Sequence, residues 1–352
     1  MSNYNKKLEK KLLFNPNAIE DLKIFGGETS NILDLSNIPK DCEIFHKCVD
    51  TLYNNNWLPH KVSMDSDKYD YKNRMTPDEI EAYDNILSFL AFLDSIQTNN
   101  LPNIAGYVTN PHVVYALSRQ TWDEALHSKS YGWIFSSLMS KEKSRELYFK
   151  WKEHPLMLER NKFIAKIYQD FVDNPSELNF IKSVIANYML EGLYFYNGFQ
   201  FFHNLANRGL ITGTDTQISY IQRDEIVHCT IFENIIKIAK KENPELFLEH
   251  KETFREMFKV ATQWEIDFSC DVIGDKILGM SKNSISDYAK YLCDYRLENI
   301  DEEPMFGIKE NPYKHLEKQA GVSDETSNRS NNFEVTSITY KSPEILNEWD
   351  EI

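Results

Sequence analysis

Two Glu-x-x-His motifs bring together carboxylate and imidazole side chains, the groups from which many protein metal sites are built. The first motif runs from Glu124 to His127 and the second from Glu225 to His228. Residues three positions apart lie on the same face of an α-helix, so each motif would direct both of its side chains to one side. Two such pairs facing each other predict a metal centre between helices.

A single acid precedes each motif on an apolar stretch of sequence. Asp94 stands thirty residues before Glu124, and Glu191 stands thirty-four residues before Glu225. A helix through either stretch would bury the acid among apolar neighbours, which is costly unless the carboxylate has a partner. The six side chains of the two motifs and the two acids therefore predict a dinuclear metal site inside a four-helix bundle.

A third Glu-x-x-His motif, from Glu43 to His46, lacks this context. No pair of long apolar helical stretches surrounds it. A chain with 9 histidines and many glutamates contains such a spacing by chance. We interpret the third motif as structural.

The predicted ligand set is dominated by carboxylate oxygens, which suits iron or manganese better than zinc or copper. Paired ions of this kind activate O2 in carboxylate-bridged bundles. Tyr131 lies seven residues after Glu124, nearly two helical turns, and so shares the ligand face. Phe195, Phe199 and Ile221 fall on the inward sides of their helices and would form a dry apolar pocket around the phenol. This arrangement predicts a radical on Tyr131.

Helical periodicity dominates the chain and alternating strand patterns are nearly absent, so the predicted fold class is all-α. The helices expected to carry the ligands span about 76–99, 112–139, 177–207 and 213–241. One further helix is predicted in the charged segment 140–175, and three more are predicted between 244 and 299. Additional helices would therefore flank the four that hold the site.

The composition divides the chain into three regions. Residues 1–40 contain Pro and Gly breakers and predict an irregular N-terminal arm. Residues 41–310 carry the helical patterns and predict one domain. Residues 311–352 are rich in Ser, Asn, Thr and acids and predict a disordered tail. The tail ends in apolar residues among acids, which predicts a peptide that orders on a partner protein.

Bulk composition excludes several classes of function. With 352 residues and 41% apolar composition, the chain can bury a large core. Its net charge of −15 argues against nucleic acid or an anionic membrane surface as a partner. No apolar run approaches the roughly 18 residues of a membrane span. The 5 cysteines include no C-x-x-C pair, which predicts free thiols in a reducing cytoplasm.

Four segments resemble the small, radical-generating subunit of class I ribonucleotide reductase, a family within the ferritin-like dimetal-carboxylate superfamily. They are LDSIQTNN at 93–100, DEALHSKSY at 123–131, LEGLYFYNGF at 190–199 and QRDEIVH at 222–228. The resemblance extends over residues 57–340. It implies a ferritin-like helical bundle with Tyr131 as the radical site. It also implies six metal ligands: Asp94, Glu124, His127, Glu191, Glu225 and His228.

The same resemblance implies a route by which the radical reaches another protein. The segment NNNWLPHKVSMDSD resembles the W-x-P-x-x-V segment of the family and places Trp57 at the head of this route. Asp224 would hydrogen-bond both the indole of Trp57 and the imidazole of His127. Such a chain manages the proton that accompanies an electron from an indole or a phenol. In the tail, SNNFEVTSITY resembles the relay segment of the family and ends in Tyr340.

The implied function is that of the small subunit of ribonucleoside-diphosphate reductase. Such a subunit initiates the reduction of ribonucleotides to deoxyribonucleotides in a large catalytic subunit. The implied cofactor is a diiron-oxo site with a tyrosyl radical, and manganese or a mixed manganese and iron pair is the alternative. The implied assembly is a homodimer that binds the large subunit through its C-terminal tail. The chain has no Gly-rich phosphate loop, so we expect it to bind no nucleotide itself.

Two other functions stay open at the level of the sequence. A soluble dimetal oxygenase or acyl-carrier-protein desaturase has a similar length and a similar spacing of its second ligand set. Asp94, Tyr131 and the acidic balance of the chain argue against that function. A non-catalytic ferritin-like metal-storage protein would use the ligands as well. It would give no role to the long tail or to a pairing of Trp57 with Asp224.

Overall fold

The computed structural model describes residues 6–316, and this part of the chain is helical without a β-strand. Its helices are α1 (Glu43–Asn54), α2 (Asp65–Asn73), α3 (Pro77–Ala105), α4 (Pro111–Leu138), α5 (Lys141–Lys150), α6 (Pro155–Asp173), α7 (Glu177–Met189), α8 (Tyr196–Asn207), α9 (Thr212–Glu242), α10 (Pro244–Glu249), α11 (Lys251–Val272) and α12 (Lys282–Asn299). The predicted all-α class is confirmed.

The segment 6–39 contains no helix and follows an irregular path against the bundle. Isolated antiparallel bridges join Lys7 to Ser176 and Phe25 to Val108. These bridges satisfy backbone groups that would otherwise need solvent or a helix. The irregular segment is therefore attached to the helical part at two places.

Helices α3 and α4 begin within one residue of their predicted starts, 76 and 112. At the start of α3, the hydroxyl of Thr76 accepts a hydrogen bond from the backbone N–H of Glu79 at 3.3 Å. The Glu79 carboxylate in turn accepts from the backbone N–H of Thr76 at 2.8 Å, which completes a capping box. Before α4, the side chain of Asn110 accepts from the backbone N–H of His112 at 3.1 Å. These caps fix where each helix starts, and hence which residues face inward.

Helix α3 is longer than the sequence predicted. It was expected to end near Asn99, but it continues to Ala105 and contains Pro102. A proline removes one backbone hydrogen bond from a helix interior. The neighbouring side chains of Leu101 and Ile104 are fully buried, and their packing outweighs that loss. Asp94 consequently lies well inside the helix rather than near its end.

The prediction of one helix in the segment 140–175 was wrong, because two helices, α5 and α6, lie there. Pro155 disfavours a helical conformation at the preceding residue, His154, and starts the second helix. Nδ1 of His154 caps this helix by accepting a hydrogen bond from the backbone N–H of Met157 at 3.4 Å. The chain therefore turns sharply between the two helices.

The helix predicted over 177–207 is interrupted by a π-helical turn. Helix α7 ends at Met189, the π turn covers Leu190–Tyr194, and α8 begins at Tyr196. A π turn closes its hydrogen bonds one residue later than an α-helix does, and such turns are frequent at functional sites. Here the turn contains Glu191, so the backbone around this predicted ligand is not that of a regular helix.

The segments that carry the predicted ligands pack against one another in the middle of the molecule. Helix α3 packs on α4, α4 packs on α9, and α7 and α8 pack on α9. Helices α1, α6, α11 and α12 lie against the outside of this group. Apolar side chains from nearly every helix join one continuous core. The interior between the four ligand-bearing segments is therefore closed off from solvent.

Candidate metal centre

The six predicted ligands lie together in the centre of the bundle, and each is fully buried. Their donor atoms form two groups in which all atoms lie within 4.8 Å of one another. The first group is Asp94, Glu124 and His127, and the second is Glu124, Glu191, Glu225 and His228. Because Glu124 belongs to both groups, the cluster has the form of two adjoining ion sites.

Two carboxylates reach both histidines with separate oxygens. Glu225 places Oε1 at 3.0 Å from Nδ1 of His127 and Oε2 at 2.8 Å from Nδ1 of His228. Glu124 places Oε2 at 3.9 Å from Nδ1 of His127 and Oε1 at 3.3 Å from Nδ1 of His228. A carboxylate in this position can bridge two metal ions, one beside each imidazole.

Many donor atoms of the cluster have no hydrogen-bond partner among the described residues. They are both carboxylate oxygens of Asp94, Oε2 of Glu124, Nδ1 of His127, Oε2 of Glu191 and Oε1 of Glu225. The 3.0 Å approach of His127 Nδ1 to Glu225 Oε1 lacks hydrogen-bond geometry. Leaving a buried polar atom unpaired costs on the order of 1–3 kcal/mol. Cations would satisfy all of these atoms at once, so the residues present fit a pair of metal ions.

The electrostatics of the cluster also favour cations. Burial, and then the charge of Glu124, raises the pKa of Asp94 well above its ordinary value. The same two causes raise the pKa of Glu191 well above its ordinary value. Several carboxylates crowded in a dry interior resist ionisation unless an opposite charge lies among them. A divalent ion bound among these carboxylates would supply that charge and favour their ionised form.

Three amide side chains that sequence analysis missed orient Glu191. Gln97, Gln120 and Asn187 donate hydrogen bonds to its Oε1 at 2.6, 2.8 and 3.0 Å. Its Oε2 stays free of hydrogen bonds and lies 3.9 Å from Nδ1 of His228. Each amide stands three or four residues from a predicted ligand on its own helix, and this spacing is the signal that could have identified it.

The contacts expected between Trp57, Asp224 and His127 are present. Oδ2 of Asp224 accepts a hydrogen bond from Nε1 of Trp57 at 2.9 Å. The same oxygen lies 3.4 Å from Nε2 of His127. All three side chains are buried. A continuous polar path therefore leads from His127, a predicted ligand, to an indole ring.

The other predicted ligand histidine, His228, has a corresponding carboxylate, Asp123, which sequence analysis missed. Oδ2 of Asp123 lies 3.5 Å from Nε2 of His228. Its Oδ1 lies 2.7 Å from Nη2 of Arg119, which anchors it. The sequence signal was present, because both motifs read Asp-Glu-x-x-His and Asp123 occupies the same position as Asp224. A carboxylate behind a ligating histidine fixes the orientation of its ring.

Tyr131 is fully buried on α4, and its hydroxyl lies beside Asp94 without a hydrogen bond of ordinary geometry within residues 6–316. Burial, and then the charge of nearby ligand carboxylates, raises its pKa well above the ordinary value. Phe195, Phe199 and Ile221 are fully buried and belong to the same apolar core. The phenol is therefore inaccessible to solvent. Tyr340, the predicted relay residue of the tail, lies outside the described residues.

The third Glu-x-x-His motif lies apart from this cluster. Nε2 of His46 lies 2.9 Å from Nδ1 of His112. The side chain of Glu43 is 54% exposed and lies 3.9 Å from Nζ of Lys47. This motif joins neither group of buried donor atoms, which agrees with the structural interpretation.

Taken together, the fold and the cluster define a ferritin-like helical protein with a buried carboxylate and histidine centre. The family model described as "Ribonucleotide reductase, small chain" matches residues 37–312. The chain belongs to this family.

Individual relatives are similar to this chain along most of its length. A ribonucleoside-diphosphate reductase subunit beta from Treponema pallidum is 39% identical over 305 residues, which are 85% of this chain and 86% of the relative. A subunit beta from Halalkalibacterium halodurans is 33% identical over 349 residues, or 98% of this chain and 99% of the relative. The solved structure of the ribonucleotide reductase R2 subunit from Clostridium botulinum has a TM-score of 0.85 at 36% identity. It covers 90% of this chain and 99% of that one.

The chain acts as the small subunit of a class I ribonucleoside-diphosphate reductase, an oxidoreductase of deoxyribonucleotide synthesis. Small subunits of this family work with a large subunit. The relatives support this function and not the oxygenase, desaturase or storage alternatives. Within residues 6–316, no helix has the length and apolar character needed to cross a membrane.

Proposed function

We propose that the buried cluster holds two metal ions and that Tyr131 carries the radical on which the reductase depends. The observation that supports this most directly is that Glu124 and Glu225 each extend one oxygen toward each ligand histidine. The residues that would hold the ions are Asp94, Glu124, His127, Glu191, Glu225 and His228. Redox-active ions bound there would supply the electrons that reduce O2 or an oxidant derived from O2. The oxidised ions would then have the oxidising power to remove an electron from the phenol of Tyr131.

We propose iron as the metal pair. Four carboxylates and two imidazoles form a donor set dominated by oxygen, which suits iron. Manganese, or a mixed manganese and iron pair, would fit the same donors and is the alternative. Loading the metal-free protein with each metal in turn distinguishes these cofactors.

The experiment that tests the proposal loads the metal-free protein with Fe(II) under anaerobic conditions and then admits O2. We expect an electron paramagnetic resonance doublet from a phenoxyl radical, which disappears in Tyr131→Phe. A radical formed only after loading with manganese and its own oxidant would assign manganese. Metal binding that yields no radical with either metal would overturn the proposed role of Tyr131.

We propose that the hole on Tyr131 leaves the subunit by way of His127, Asp224 and Trp57. Asp224 contacts both of the other side chains through one oxygen, at 2.9 Å and 3.4 Å. An indole that loses an electron becomes a strong acid, so a carboxylate on its N–H lowers the cost of oxidation by taking up the proton. Asp224 would therefore hold and return the proton while the electron moves through Trp57.

Replacing Asp224 by Asn is expected to slow ribonucleotide reduction about 100-fold or more per radical, because the amide cannot take up the indole proton. The change preserves shape, so the fold should stay intact. The measurement is the rate of deoxyribonucleotide formation with the large subunit, divided by the radical content from electron paramagnetic resonance.

Asp123→Asn is the matched control, because Asp123 makes the corresponding contact with His228 but does not touch Trp57. This variant should reduce ribonucleotides at the wild-type rate per radical, even if it binds metal less tightly. Equal slowing of both variants per radical would contradict the proposed route.

We propose that the tail, 311–352, docks on the large subunit and that Tyr340 is the last relay residue before that subunit. We also propose that two copies of the chain form a homodimer. The resemblance of the SNNFEVTSITY segment to the relay segment of the family supports the first two statements. The terminal EILNEWDEI contains four apolar residues among acids, which suits a peptide that orders in a groove. The homodimer rests on the family resemblance alone.

Deleting residues 341–352 is expected to weaken binding of the large subunit at least about 10-fold, because the apolar side chains of the terminal peptide are lost. The radical should form as in the wild-type chain, since the metal ligands are untouched. Surface plasmon resonance measures the affinity, and electron paramagnetic resonance measures the radical. An unchanged affinity would show that the docking surface lies elsewhere.

A further inference from the structure

Two buried arginines from helices outside the ligand set reach the backbone of the π turn that contains Glu191. Nη2 of Arg160, on α6, donates a hydrogen bond to the carbonyl oxygen of Tyr194 at 2.7 Å. Nε of Arg296, on α12, donates to the carbonyl oxygen of Gly192 at 3.3 Å. The two arginines are 0% and 5% exposed. Guanidinium groups are rarely buried to this extent without a specific partner.

We propose that Arg160 and Arg296 are positioning residues that hold the π turn in place and thereby keep Glu191 directed at the ion site beside His228. This inference rests on the proposed function, because the position of Glu191 matters only if the cluster binds metal. It adds two residues, from outside the predicted ligand helices, to those on which metal binding depends.

The surroundings of Arg160 indicate a specific role rather than general stabilisation. Its guanidinium forms a buried ion pair with Glu265 on α11 and lies 3.9 Å from the ring centroid of Phe89 and 4.0 Å from that of Tyr194. Glu265 is held in turn by the hydroxyl of Ser269, which donates to it at 2.9 Å. A buried ion pair contributes little more to stability than well-packed apolar side chains do. The ion pair instead fixes the guanidinium of Arg160 so that it can donate a hydrogen bond to the carbonyl oxygen of Tyr194.

Arg296 connects the two helices that flank the turn. Its Nη2 donates to the hydroxyl oxygen of Tyr196, at the start of α8, at 3.1 Å. Its backbone carbonyl accepts a hydrogen bond from the hydroxyl of Tyr188, near the end of α7, at 3.1 Å. Because the same residue also contacts Gly192, it holds the chain before, within and after the turn. A π turn interrupts the regular helical ladder, and such contacts restrain it.

Gly192 is what lets Arg296 approach so closely. A Cβ atom added at Gly192 would lie 2.6 Å from Nε and 2.9 Å from Cδ of Arg296. Both distances are shorter than real Cβ contacts, so any larger residue would push the guanidinium off the carbonyl. The glycine follows the ligand Glu191 directly, and its role here is to admit another group to the backbone.

The arginines complete the restraint of Glu191. Amide groups on three helices orient its carboxylate through Oε1, but they cannot fix the backbone from which the side chain extends. Contacts behind a metal ligand typically change metal affinity by about 10–100-fold when they are removed. Glu191 belongs to the donor group around His228 and not to the group around Asp94, so loss of its position should affect one ion selectively.

The test uses the full-length metal-free chain and Mn(II) alone as the probe. Free Mn(II) is counted by its electron paramagnetic resonance signal during titration. The wild-type chain should bind two ions as a coupled pair. Gly192→Ala and Arg296→Lys should bind one ion with unchanged affinity and the other about 10–100-fold more weakly, with the spectrum of a single uncoupled ion at low occupancy. Arg160→Lys should lose the same ion.

Gly198→Ala is the matched control. It adds a buried methyl group to α8, where the new Cβ would lie 2.9 Å from Cγ2 of Ile86, but it meets no arginine. This variant should bind both ions as the wild-type chain does, although its packing is disturbed. Thermal unfolding of every metal-free variant shows that each is folded before it is titrated.

Two outcomes would overturn the inference. In the first, Gly192→Ala and Arg296→Lys bind two ions with wild-type affinity. In the second, Gly198→Ala loses the same ion as they do, which would mean that metal binding responds to packing in general. A wild-type chain that binds no pair of ions would instead overturn the proposed function itself, so the two failures are distinguishable.

Discussion

Replacing Tyr131 by phenylalanine is expected to abolish ribonucleotide reduction while leaving the fold and metal binding unchanged. Phenylalanine keeps the buried ring but has no hydroxyl proton to release, so the ring cannot be oxidised to a stable neutral radical. The hydroxyl of Tyr131 lies beside Asp94 but makes no hydrogen bond of ordinary geometry within residues 6–316, so its removal breaks none. The variant should therefore unfold at the wild-type temperature or slightly above it.

The measurement combines metal analysis, the radical signal and deoxyribonucleotide formation in the presence of the large subunit. Tyr83→Phe is the matched control, because Tyr83 is also fully buried and its hydroxyl pairs with that of Thr214 at 2.8 Å, away from the ligands. The control should keep both the radical and the activity. Activity retained in Tyr131→Phe would place the oxidising equivalent on the metals or on another residue.

Replacing Glu225 by alanine is expected to cause the largest loss of metal among single substitutions. Glu225 lies 3.0 Å from His127 and 2.8 Å from His228, so its loss would remove a proposed ligand from both proposed ion sites. We expect the affinity for both ions to fall by more than about 100-fold, beyond the effect of removing a group behind a ligand. At a metal concentration about 100 times the wild-type Kd, each bound ion stabilises the wild-type chain by about 2.7 kcal/mol, and the variant would lose most of this stabilisation for each ion.

Two measurements check this prediction, the metal content after gel filtration and the unfolding temperature with and without Mn(II). The metal-free variant should also be less stable than the metal-free wild-type chain, because two buried imidazoles lose the carboxylate between them. Glu233→Ala is the control on the same helix, where the carboxylate pairs with Lys237 at 2.9 Å near the surface. It should bind both ions and change stability by less than about 1 kcal/mol. Two tightly bound ions in Glu225→Ala would show that Glu225 is not a shared ligand.

Most of the helices could be predicted because their signals are local. The capping box at Thr76 and the amide cap at Asn110 mark helix starts in the sequence itself, and apolar residues at helical spacing mark the rest. The end of α3 could not be predicted, since the burial of Leu101 and Ile104 that outweighs Pro102 depends on other helices. The division between α5 and α6 had a local signal in Pro155, which the helical pattern on both sides concealed.

The six predicted ligands meet in one buried cluster, and local spacing was sufficient to select them as candidates. The two side chains of each Glu-x-x-His pair share one helix face because of the helical period alone. The amides around Glu191 could also have been predicted from helical spacing, because each stands three or four residues from a predicted ligand. The arginines could not have been predicted in this way, because Arg160 and Arg296 lie 34 and 104 residues from the carbonyl groups that they contact.

By itself, the sequence determined which side chains share a helix face, how many carboxylates and imidazoles they offer, and hence what class of metal centre they can form. These properties follow from residue type and from the regular period of the α-helix. Only the tertiary structure decided that Glu124 and Glu225 each reach both histidines and that Glu191 extends from a π turn restrained by two distant arginines. Those distances depend on how separate helices pack, and packing is a property of the whole core rather than of any one segment.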